Sequence, residues 1–157
     1  MKRIKNSIAL VCLTLLAVGL MMSCSKMKVG YLRTAGASFA PDFINVFHNI
    51  DPTSDRYIEQ QPFVSTSIQG VAGTNPVNYE LSSVKADSPS ASELFMKLYK
   101  EGKISVAGGL IVVSQDASRQ LTNGRYILSL KVYNEDHEAI LKDVFKIVVT
   151  DDELPTA

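Results

Sequence analysis

The side chains that most often carry out metal or acid–base chemistry are scarce in this chain. It has two histidines, His48 and His137, and two cysteines, Cys12 and Cys24. The histidines lie far apart in sequence, and neither has a second histidine or a cysteine at the spacing of a zinc site. We therefore predict no metal site and no bound cofactor.

Motifs for a nucleophile or for phosphate binding are missing from the sequence as well. The Gly-x-Ser-x-Gly turn of many hydrolases does not occur. The segment Gly70–Gly73 lacks the lysine of a phosphate-binding loop and precedes no helical pattern. Acidic residues are common, but their spacing along the chain does not by itself indicate a glycosidase. We predict that the protein is not an enzyme.

Cys24 is the residue to which we assign covalent chemistry, as a site of lipid attachment. Basic residues at the N terminus precede an apolar run from Ile8 to Leu20. Its length of roughly 13 residues suits the hydrophobic part of a secretory signal and is short for a membrane span. The segment Leu20-Met-Met-Ser-Cys24 resembles a bacterial lipobox, with the small residue Ser23 before the cut. The alternatives are an ordinary secretory signal or an uncleaved anchor, with an incidental cysteine.

The resemblance to lipoproteins of Bacteroidetes implies a location as well as a modification. Lipoproteins of that group that are exported to the cell surface usually carry acidic residues directly after the lipidated cysteine. Here Ser25–Lys28 contains none. The resemblance therefore favours an outer-membrane lipoprotein that faces the periplasm over one at the cell surface.

Composition argues against nucleic acid as a partner. The full chain has 16 basic and 16 acidic residues, and loss of Lys2, Arg3 and Lys5 with the signal would leave an acidic excess. Nucleic-acid binding requires clustered basic residues. The remaining chain of about 134 residues is long enough for one domain with a hydrophobic core.

Short apolar segments separated by glycine, proline and asparagine predict a mainly β fold. The strongest pair consists of Tyr126–Tyr133 and Leu141–Val149, in which apolar residues alternate with polar ones. Gly108-Gly109 between two apolar segments predicts a hairpin with a two-residue turn. The other predicted strands are Val29–Leu32, Phe43–Phe47, Phe63–Gln69, Val77–Val84, Ile104–Ala107 and Leu110–Ser114.

One helix is predicted at residues 91–101. Ser90 and Glu93 form a capping-box pattern, and apolar residues follow at helical spacing up to Gly102. Residues 49–61 are polar and are interpreted as a long loop or the end of a hairpin.

The C-terminal half resembles a cadherin-like or bacterial immunoglobulin-like repeat. The resemblance rests on the pattern Gly124-x-Tyr126-x-Leu128-x-Leu130-x-Val132, and on a last strand at Phe145–Asp151. It covers about residues 63–150 and implies an Ig/cadherin-like antiparallel β-sandwich, here with one short helix. The resemblance does not imply a particular function.

Calcium binding, which cadherin repeats achieve with acidic motifs between adjacent domains, is not expected here. Acidic residues occur at Asn134–Asp136 and in the tail from Asp151. Calcium needs oxygen ligands that converge from several segments, and the motifs of a second repeat are missing.

These observations define one organisation and two possible roles. The predicted parts are a signal peptide (1–23), a lipidated cysteine and tether (24–30), a β-sandwich domain (31–150) and an acidic tail (151–157). The first role is a non-catalytic envelope module that binds another envelope protein, through an exposed apolar patch or an unpaired strand edge. The alternative is a glycan-binding accessory lipoprotein of a polysaccharide-uptake system, with sugar rings stacked on Tyr57, Tyr99 and Tyr133.

Overall fold

Two β-sheets enclose a hydrophobic core in the computed structural model of the protein, which describes residues 27–153. The predictions for the signal peptide and for Cys24 fall outside the described residues. The strands are β1 (Leu32–Arg33), β2 (Phe43–Phe47), β3 (Phe63–Val64), β4 (Ala72–Gly73), β5 (Asn78–Ala86), β6 (Ile104–Ala107), β7 (Leu110–Val113), β8 (Gly124–Tyr133) and β9 (Glu138–Thr150). The helices are α1 (Asp55–Ile58), α2 (Pro89–Lys100) and α3 (Gln115–Gln120).

The strand order is that of an immunoglobulin-like sandwich. Sheet I has the order β2-β9-β8-β5, and sheet II has the order β3-β7-β6. When β3 is lettered B and the strands β5 to β9 are lettered C to G, sheet II has the order B-E-D and sheet I contains the neighbours G-F-C. These are the two strand sets of an immunoglobulin sandwich. The first strand is divided. Its early part, β1, pairs with β4 after strand B, and its later part, β2, pairs with β9.

The predicted alternation of β8 and β9 is confirmed. Tyr126, Leu128, Leu130 and Val132 of β8 are buried, as are alternate residues of β9 from Phe145 onward. The side chains of neighbouring residues in a strand point to opposite faces, so one face of each strand enters the core. The Gly108-Gly109 hairpin is also confirmed, and both glycines have positive φ.

A buried tyrosine hydroxyl fixes the start of β8. Tyr126 Oη donates to the Thr122 carbonyl at 2.9 Å and accepts from the Thr122 N–H at 3.2 Å. This is the tyrosine-corner arrangement of Greek-key sandwiches, in which the hydroxyl bonds to backbone a few residues upstream. These hydrogen bonds fix the segment in which the chain returns from β7 of sheet II to β8 of sheet I.

Three expectations for the helices need correction. Residues 27–153 contain three helices where one was expected, since α3 and the short α1 were not predicted. Helix α2 begins at Pro89, and its cap is Ser88, whose hydroxyl accepts from the Ala91 N–H, instead of Ser90. Proline suits the first turn of a helix because its missing N–H has no intrahelical partner there. Helix α3 has an equivalent cap at Ser114.

Several strand predictions also differ from the structure. The first strand is Leu32–Arg33 rather than Val29–Leu32, and only Phe63–Val64 of the predicted Phe63–Gln69 segment is a regular strand. The sheet is not wholly antiparallel, because β2 runs parallel to β9. Strand β1 pairs only with β4, in a separate two-stranded sheet.

Helix α2 closes the outer edge of β5. Tyr99 Oη accepts from the Leu81 N–H at 3.1 Å, and Ser92 Oγ accepts from the Ala86 N–H at 3.0 Å. These side chains satisfy strand N–H groups that have no neighbouring strand. Covering an edge with a helix prevents unwanted strand pairing.

Candidate functional site

The chain enters the fold at the turn between β8 and β9, which we call the hairpin end (residues 134–137). The Val29 N–H donates to Asp136 Oδ2 at 2.7 Å, and the Tyr31 N–H donates to Thr74 Oγ1 at 3.1 Å. Asn134 Nδ2 donates to the Tyr31 carbonyl at 2.9 Å. These bonds fix the position at which any tether from the N terminus must begin.

The described chain finishes at the opposite end of the sandwich, which we call the tail end. His48 bridges this region: its Nε2 donates to the Leu121 carbonyl at 2.9 Å, and its Nδ1 lies 3.2 Å from Asp151 Oδ1. A hydrogen bond from Asn123, together with His48, holds the pKa of the Asp151 carboxyl below its usual value. The acidic tail residue Asp151 is thus bound to neighbouring protein groups.

Helix α1, at the tail end, presents apolar side chains to solvent. None of its four residues is buried, and Ile58 is 65% exposed while Tyr57 is 37% exposed. Polar contacts hold the helix in place: Gln115 Nε2 donates to the Arg56 and Gln61 carbonyls. The helix is therefore fixed by its backbone while its apolar side chains remain accessible.

Arg56 joins this helix to β3. Its guanidinium lies 4.6 Å from the centroid of the Phe63 ring and donates to the Pro62 carbonyl at 3.0 Å. Val64, which follows Phe63 in β3, is 46% exposed. We define the tail-end patch as Tyr57, Ile58 and Val64. Of these three, only Tyr57 was predicted as a contact residue, because Ile58 is an isolated aliphatic residue in a polar segment and the strand pattern around Val64 does not indicate an interface.

The structure does not bring the three predicted glycan-contact tyrosines together. Tyr57 lies at the tail end, where the Arg119 guanidinium is 5.8 Å from its ring centroid. Tyr133 lies at the other end of β8, beside the Lys131 ammonium. Tyr99 is partly buried against the core. Strand β8 has ten residues, so its ends are about 30 Å apart at the usual rise per residue.

The acidic segments considered for calcium also lie apart. Asn134–Asp136 is at the hairpin end, whereas Asp152 at the tail end accepts from Asn49 Nδ2 at 2.8 Å. Residues 27–153 contain no group of three or more His, Cys, Asp or Glu side chains placed to hold a metal ion. His137 is partly buried, and its Nδ1 has no hydrogen-bond partner among residues 27–153.

Comparison with known proteins gives no identification. No protein-family model, curated protein or solved structure matches the chain. Within residues 27–153, no helix has the length and hydrophobicity needed to cross a bilayer.

Proposed function

We propose that the protein is a non-catalytic, lipid-anchored module of the cell envelope that binds another envelope protein through the tail-end patch. The observation that carries the proposal is that Tyr57 and Ile58 of α1 and Val64 of β3 are all exposed to solvent at the tail end. Tyrosine and isoleucine side chains of this kind contribute strongly to protein interfaces once water is excluded. Fixing the helix backbone in advance lowers the entropic cost of binding.

The position of the patch suits an anchored protein. Lipid on Cys24 would be joined to Val29 through four residues, Ser25–Lys28, and the five steps from Cys24 to Val29 span roughly 17 Å when fully extended. The hairpin end would then stay close to the bilayer. The patch lies at the other end of the sandwich, away from the tether. We favour the periplasmic face of the outer membrane, since no acidic residue follows Cys24 in Ser25–Lys28.

Photo-crosslinking in growing cells tests this role. A photo-reactive residue at position 58 of the full chain should trap a discrete envelope protein. The same residue at Lys100, on the exposed side of α2, should not. Addition of Tyr57→Ala to the position-58 variant should remove the adduct. Equal adducts at both positions, or no adduct at position 58, would contradict the proposal.

Glycan binding remains the alternative role, and the same protein tests it. The full chain should migrate unretarded through gels that contain polysaccharide if the tail-end patch binds protein. Retardation that Tyr57→Ala abolishes would favour a glycan ligand instead.

A further inference from the structure

The outer edge of β9 is only partly covered. On one side β9 pairs with β8 from Glu138 to Val149, but on the other side it pairs with β2 only from Lys146 to Thr150. Among the described strands, none pairs with the outer edge from Glu138 to Phe145. Backbone N–H and C=O groups on such an edge can pair with an added strand.

A bulge limits the length of this open edge. Asp143 has a positive φ of 52°, and its N–H donates to Ser129 Oγ at 3.0 Å. The pairing register shifts opposite this point, between Leu128 and Leu130. A bulge bends the strand and interrupts regular pairing. Regular pairing with β8 on the other side therefore covers Glu138 to Leu141, and Lys142 lies where the bulge begins.

The side chains along this edge form an alternating set. Glu138, Ile140 and Lys142 are exposed, whereas Ala139 and Leu141 between them are partly buried. Alternate residues of a strand share a face, so these three lie together on the outer face of sheet I. Ile140, in the middle, is 47% exposed. Lys142 makes no salt bridge with any described residue, whereas Glu138 also pairs with Lys131 of β8 at 2.9 Å.

We propose that this edge pairs with the same edge of a second copy of the chain, antiparallel, about a two-fold axis at Ile140. In that register Ile140 faces Ile140 of the second copy, and Glu138 of each copy faces Lys142 of the other. Apolar and opposite-charge pairs directly across two strands stabilise pairing. A parallel in-register pair would instead place like charges opposite each other. The order acid, apolar, base is therefore self-complementary in the antiparallel register.

The dimer is compatible with an anchored protein but does not depend on lipid. A two-fold interface of this kind is closed, so assembly stops at two copies. The axis is perpendicular to the joined sheet, so both N termini leave on the same side of it. The hairpin ends meet at the centre, and the tail-end patches lie at the two outer ends. Such a dimer would bind partners with two patches at once.

Disulfide trapping tests the register. In the full chain in its native membrane, Ile140→Cys should form a disulfide-linked dimer under mild oxidation. Directly opposed Cβ atoms are about 5 Å apart, close enough for a disulfide after a small shift. Val64→Cys is the matched control, because Val64 is equally exposed on a strand of the other sheet. Equal trapping at both positions, or none at position 140, would overturn the proposal.

A charge-reversal pair tests the contacts without any disulfide. In Glu138→Lys both edge charges are positive, and in Lys142→Glu both are negative. Each variant alone should show a dimer dissociation constant raised roughly tenfold, because two favourable cross-strand pairs per dimer become repulsive. An equimolar mixture should regain the original affinity as a heterodimer, which native mass spectrometry distinguishes by mass. A wild-type protein that stays monomeric, or a mixture no tighter than the single variants, would refute the interface.

Discussion

Replacing Tyr126 with phenylalanine should destabilise the fold through the loss of one oxygen atom. The Tyr126 hydroxyl bonds to three groups of Thr122, namely its carbonyl, its N–H and its side-chain hydroxyl. The ring itself is fully buried and packs against Phe95, with ring centroids 5.2 Å apart. Phenylalanine preserves this packing. Thr122 itself is exposed, so water can replace part of the lost bonding, and we expect a loss of about 1 kcal/mol in the free energy of unfolding.

Tyr133→Phe is the matched control, on the same strand. Among the described residues, the Tyr133 hydroxyl makes no hydrogen bond, so its removal should change stability by less than about 0.5 kcal/mol. Urea unfolding followed by circular dichroism measures the stability of both variants. The slope of the unfolding free energy against urea concentration should be the same as in the wild type. If Tyr126→Phe is as stable as wild type, or if both variants lose the same amount, the tyrosine corner does not fix the fold as argued.

Three further measurements follow from the structure. Gly109→Ala should lower the urea midpoint more than Gly108→Ala, since both residues have positive φ but only at Gly109 would a Cβ lie 2.7 Å from Ile68; equal losses would contradict this. Tyr99→Phe should cost about 1 kcal/mol and speed hydrogen exchange at Leu81, whose N–H it now binds; unchanged exchange would show that α2 does not close that edge. Asp42, Asp116 and Asp143 are exposed and have pKa values below the usual one, chiefly because each accepts a hydrogen bond from a lysine. They therefore stabilise the fold above the unfolded-state pKa of about 3.9, and this stabilisation is lost as the pH falls through their lowered pKa values. The urea concentration at the unfolding midpoint should decrease as the pH drops below about 4, less steeply in 1 M salt, and a midpoint that stays constant from pH 6 to pH 3 would refute this account.

Long alternating strands were predictable from sequence because their local pattern and their tertiary role agree. Tyr126–Tyr133 alternates with period two, and the same residues that the pattern places inward are buried. The Gly108-Gly109 turn was predictable for a similar reason, since two adjacent positive φ angles favour glycine.

The missed elements depend on contacts that are distant in sequence. Helix α3 has only six residues, too few to establish helical periodicity, and α1 is held by Gln115 from another part of the chain. The cap of α2 was misplaced because Ser88 and Ser90 both suit a helix start, and only the position of Pro89 separates them.

The candidate interaction surfaces were predictable in kind but not in place. An unpaired edge and an exposed apolar patch were expected of a binding module. The open edge of β9 exists because β2 joins sheet I only at Lys146. A sequence pattern for Leu141–Val149 gives no information about which side of a strand lacks a neighbour, so the edge had to be found in the structure.

Mass spectrometry of the N-terminal peptide, from protein purified out of native membranes, tests the central claim most directly. An anchored envelope module predicts a first residue of Cys24 that carries the added mass of a diacylglyceryl group, with residues 1–23 absent. A peptide that begins at Met1 and retains an unmodified Cys24 thiol would contradict the anchor and, with it, the proposed place of action.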